Sequence, residues 1–151
     1  MQRSFLLRGH AAAGALAMAL IALFLCATLL AEAFGTHDML AATKQAILTA
    51  LLLLIPLLML AALSGRSLAG HARGGIIGAK QRRMMVIAAL GALVLLPCAV
   101  VLANWAATQR LGPWFAVVQG IELAAGATNL TLLWRNFRDG WRMRQPRRRR
   151  G

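Results

Sequence analysis

Residues 46–63 read AILTALLLLIPLLMLAAL, eighteen positions without a charge and with Thr49 as the only hydroxyl. At 1.5 Å per residue a helix of this length covers about 27 Å, close to the ~30 Å hydrocarbon core of a bilayer. The run is a continuous apolar block, without the spacing of a water-facing amphipathic helix. Pro56, near its middle, is tolerated in membrane helices, usually with a kink.

Three further blocks flank it, at about 11–31, 84–106 and 114–134. The 151 residues have a mean hydropathy of +0.66 and are 14% charged, against about 25% for an average soluble domain. These features predict an all-α integral membrane protein: one domain, 1–151, built as a four-helix bundle of two antiparallel hairpins with a basic tail at 135–151. Residues 1–10 followed by an apolar run could mimic a signal peptide. The run is longer than a usual signal core of 7–15 residues, so an uncleaved first helix is expected. Ala15, Ala19, Ala22 and Cys26 form a small-residue stripe there, read as a close-packing face. Cys98 and Cys26 both lie in apolar blocks, where cysteines pack as small apolar residues and form no disulfide framework.

Charge sets the threading. Of the 17 Lys and Arg, 15 fall in the N-terminal segment, the 64–83 connection and the C-terminal tail; only Lys44 and Arg110 fall on the other side. The positive-inside rule then puts both termini in the cytoplasm. Trp105 and Trp114 would mark one interface, and Trp134 and Trp141 the other. The formal charge of +13 sits beside apolar blocks, so it reads as topology signal and anionic-lipid contact, with no nucleic-acid role.

Chemistry-bearing residues are few. QGIELAAGATN, Gln119–Asn129, holds Glu122, the only acid well inside an apolar run. At 100° per residue Gln119, Glu122 and Asn129 share one arc with Gly126, while Gly120 and Ala124 lie on roughly the opposite face, where a second helix could approach. An unpaired carboxylate at that depth costs about 2.5–3.5 kcal/mol or more. It must be protonated, paired or open to water. Two readings stand: an interhelical clamp, or a proton or ligand site.

An outer cluster of Glu32, His37, Asp38, Lys44 and Arg110 reads as loop caps and interfacial ion pairs; a metal or small-ligand site on Glu32, His37 and Asp38 is the alternative. Lys44 or Arg110 could reach toward Glu122. A haem between His10 and His71 is a further alternative; otherwise no cofactor is expected. The Gly-rich piece before Lys80 fails as a phosphate loop, since Ala79 and Gln81 stand where Gly and a hydroxyl residue are required. No nucleophile, base and orienting group occur together, so no catalytic residue and no enzyme are expected.

Several pieces between Gly65 and Arg142 carry a resemblance: GRSLA at 65–69, K-x-R-R-M at Lys80–Met84, Pro97, VQGIELAAGATNL at Val118–Leu130, and N-x-R-D-G at Asn136–Gly140. They resemble an uncharacterised family of small four-helix bacterial inner-membrane proteins. The resemblance covers about half the chain and implies a multi-pass inner-membrane protein, with no activity, cofactor or substrate attached. The expected function is an accessory or scaffold subunit, with a membrane-protein partner or a second copy as its companion; a small proton-linked transporter using Glu122 is the alternative.

Overall fold

Thr36 decides where the first two helices part. Its hydroxyl accepts a hydrogen bond from the Met39 amide at 3.3 Å, capping the second helix, and Asp38 in the first turn suits the positive helix end. Just before it, the Gly35 amide closes onto the Ala31 carbonyl at 3.0 Å. A Cβ at Gly35 would strike that same carbonyl oxygen, so the turn requires glycine.

In the computed structural model, which describes residues 2–70 and 74–144, α1 is Gln2–Phe34 and α2 is His37–Ala69. The third rod joins α3 (Gly75–Leu90), a π-helical turn (Gly91–Leu95) and α4 (Leu96–Ala107). The last helix, α5, is Pro113–Arg144. All four rods are long and apolar enough to cross a membrane. No strand occurs among the described residues.

The helices outrun the apolar blocks at both ends. The segment between the first two apolar blocks, 32–45, is almost all helix: only Gly35 and Thr36 lie outside one, because the flanking residues propagate a helix and the cap lies earlier than the apolar block suggests. The connection at 64–83 is mostly helix as well. Gly70 and Gly75, with φ of 56° and 58°, adopt the left-handed backbone on either side of the connection. His71 and Arg73 lie outside the described residues, as do 145–151 of the tail; the described part of the tail continues α5. Gln109, also left-handed at φ 54°, turns the chain between α4 and α5.

The π turn stands directly before Pro97. The Leu96 amide donates to the Gly91 carbonyl, five residues back. A proline ring in a regular helix crowds the carbonyl four residues earlier; the wider turn accommodates that ring without ending the rod. α2 runs unbroken through Pro56.

α1 packs along α2, and α5 packs against α1, α3 and α4. Two apolar clusters fill the interior. The outer one joins Ala31, Leu40, Leu102, Ala106 and Phe115. The inner one joins Ala17, Ile21, Leu54, Ile87 and Leu133. The buried face of α1 is Ala13, Ala17, Ile21, Thr28 and Ala31. This corrects the expected stripe: Ala19 and Cys26 are exposed, with Ala15 and Ala22 half-buried. In a bilayer, lipid-facing and helix-facing positions are both apolar, so small residues alone do not identify the packed side.

Candidate functional site

Between the two apolar clusters lies a polar layer. Lys44, seven residues into α2, is 1% exposed and donates to Glu122 Oε2 of α5 at 2.5 Å. Glu122 is 13% exposed. The helical rise puts both groups about 10–13 Å in from the N-terminal ends of their helices. In such surroundings each charge is tolerable chiefly because the other is there; removing one partner of a buried pair costs about 3–5 kcal/mol, while replacing both with apolar groups is often neutral.

Gln119, one helical turn before Glu122, is 3% exposed and turns its Nε2 to the same carboxylate oxygen at 3.4 Å. Its Oε1 is buried without a partner. Asn129, 1% exposed, donates from Nδ2 to the Ile87 carbonyl of α3 at 3.4 Å, and its Oδ1 likewise lacks a partner. The polar stripe expected on α5 therefore exists and faces inward. Its members grip different neighbours: α2 through Lys44 and α3 through the Ile87 carbonyl. Between them Gly126 lets α1 approach closely, since a Cβ there would lie 3.0 Å from Leu25 Cδ2.

The outer cluster separates. Lys44 leaves it for Glu122. Glu32, in the last turn of α1, lies within electrostatic reach of both Lys44 and Glu122. His37 and Asp38 begin α2, and Arg110 stands exposed in the turn before α5. Among the described residues, which include Glu32, His37 and Asp38, no three His, Cys, Asp or Glu side chains come together as metal ligands. His10 Nδ1 meets Ser64 Oγ at 3.0 Å, and its ring lies over Gly65, where a Cβ would come within 2.9 Å of Cε1. That contact fastens α1 to α2. Gly120 and Ala124 are exposed, with no helix of this chain upon them.

Two features went unread in the sequence. At the opposite end of α5, Arg83 Nη1 donates to Asp139 Oδ2 at 2.6 Å and to Asn136 Oδ1 at 3.2 Å, while Asn136 Nδ2 reaches the Lys80 carbonyl at 3.5 Å. K-x-R-R-M and N-x-R-D-G are thus the two sides of one contact. A charge in each, flanking a predicted helix at the same end of the bundle, was the available signal. The second feature is a cavity of about 520 Å³ between the facing ends of α1, α2 and α5, walled by residues including Glu32, Thr36, Leu40, Phe115 and Gln119. No known protein family, curated protein or solved structure matches this chain.

Proposed function

We propose that this chain is a non-enzymatic accessory or scaffold subunit of a bacterial inner membrane. It is threaded as two antiparallel hairpins with both termini in the cytoplasm and works by packing against a membrane-protein partner or a second copy of itself. One observation carries the reading: the polar groups at membrane depth on α5 are used to hold neighbouring helices. Glu122 is bound by Lys44 at 2.5 Å, and Asn129 holds the α3 backbone. A carboxylate neutralised by a buried ammonium serves as a register clamp. The exposed Gly120 and Ala124 leave α5 a face on which another helix could pack closely. The exposed aromatic ladder of Trp134, Phe137 and Trp141, with centroid spacings of 6.1 and 6.3 Å, together with the basic tail, suits an anionic cytoplasmic headgroup layer.

Purification in a mild detergent tests this. A stoichiometric partner or a homo-oligomer is expected; a strictly lone monomer from native membranes would contradict it. A second reading, a small proton-linked transporter using Glu122, is favoured by Gln119, which lines the outer cavity and bonds Glu122. Glu122→Gln separates the two. A transporter loses its proton coupling at unchanged expression, whereas an accessory subunit that still assembles keeps its cellular role.

A further inference from the structure

Positive charge outweighs negative at the C-terminal end of α5. Of the chain's four acids, Glu32, Asp38 and Glu122 lie toward the α1–α2 turn, and only Asp139 lies at this end. Asp139 is already engaged by Arg83 at 2.6 Å. Arg138 and Arg142 stand within electrostatic reach of the same carboxylate, and a Cβ at Gly140 would lie 3.2 Å from Lys80 Nζ. Lys80, Arg83, Arg138 and Arg142 thus gather around a single acid. Arg135, Arg138 and Arg142 are all exposed. An anion from outside the chain must balance the surplus.

The second observation says what kind of anion. Trp134, Phe137 and Trp141 are 52%, 36% and 63% exposed and lie ring to ring along α5. They are set apart from the rest of its outer face, since no large apolar side chain between Ile121 and Trp134 is exposed. At 100° per residue Arg138 falls within about 60° of both tryptophans, with Arg142 and Arg135 about as far beyond it. An aromatic seam and an arginine band therefore run side by side. Trp134 and Trp141 are separated by about 10 Å of helical rise, enough to reach from acyl chain to headgroup. Guanidinium groups match phosphate oxygens in geometry as well as charge. A free phosphate would use the band and leave the seam bare; a molecule with a phosphate and an apolar chain uses both.

We propose that this end of α5 binds an anionic glycerophospholipid, with its phosphate between Arg138 and Arg142 and an acyl chain along Trp134 and Phe137. The site deepens the headgroup contact proposed above and rests on it; it needs neither the accessory nor the transport reading.

The test uses the full chain in phosphatidylcholine vesicles with a minor fraction of phosphatidylglycerol. One lipid or the other carries a dibrominated acyl chain, which quenches tryptophan on contact. Trp105→Phe with Trp114→Phe leaves Trp134 and Trp141 as reporters. Trp134→Phe with Trp141→Phe leaves the opposite end as the control. Brominated phosphatidylglycerol should quench Trp134 and Trp141 well beyond its share of the lipid, and Trp105 and Trp114 only in proportion to it. A basic side chain at a charged lipid surface is worth about fivefold. In the first reporter chain, Arg138→Gln with Arg142→Gln should then lower the preference about tenfold or more. Arg147→Gln with Arg148→Gln removes the same charge from the tail and should leave most of the preference. Helical content and melting temperature establish that each variant is folded. Equal loss in the two arginine pairs leaves the diffuse headgroup contact standing and overturns the site. No preference in the reporter chain overturns both and assigns the patch to a protein partner. Quenching relieved by inorganic phosphate assigns a free phosphate and overturns the lipid.

Discussion

At the scale of single residues, the account turns on what each polar side chain touches. Asn129 has one weak bond, to the Ile87 carbonyl at 3.4 Å. That carbonyl also accepts the Gly91 amide, so it keeps a partner when the asparagine is lost. Asn129→Leu, which also removes an unpartnered Oδ1, is expected to shift stability by no more than about 1 kcal/mol, and could raise it; thermal unfolding in detergent measures this. Gly35 stands at the other extreme. Its missing Cβ is what lets the α1–α2 turn close on the Ala31 carbonyl. Gly35→Ala is expected to cost about 1–3 kcal/mol, as a forced contact does, while Gly9→Ala, inside α1 with open space around it, serves as the control and should stabilise by up to about 1 kcal/mol.

At the scale of elements, the existence of four spans was legible and the packed side of each was not. Apolar length alone marked the blocks, because in lipid each crossing segment must satisfy its own backbone. The same uniform apolarity hid which face of α1 meets its neighbours, and the stripe read from Ala19 and Cys26 turns outward. Ala17→Leu, at a position 0% exposed, is expected to destabilise by about 1–3 kcal/mol through overpacking. Ala19→Leu, on the lipid side, should leave the melting temperature unchanged. On α5 the sequence was more informative, because polar residues in an apolar helix stand out. Gln119, Glu122 and Asn129 were placed on one face, and that face is the interior. Their partners were not legible. Lys44 looked like a loop residue, since the cap at Thr36 lies about ten residues ahead of the second apolar block at 46–63; the contact between Arg83 and Asp139 joins residues 56 apart, a pairing that no local pattern encodes.

At the scale of the whole molecule, two polar contacts pin α5 at different depths. The one near its C-terminal end, between Arg83 and Asp139, is partly solvent-accessible at 21% and 14%, so Asp139→Asn should cost no more than about 1 kcal/mol, a loss that salt would mask. The one at membrane depth joins Lys44 to Glu122 and is screened little by salt. The central claim is that this pair is a clamp whose members are tolerable only together. A double-mutant cycle tests it most directly, with unfolding followed in detergent for Lys44→Met, Glu122→Leu and the pair combined. Each single variant is expected to lose about 3–5 kcal/mol, and the double variant to return to within about 1 kcal/mol of the parent. Additive losses in the double variant would contradict the clamp.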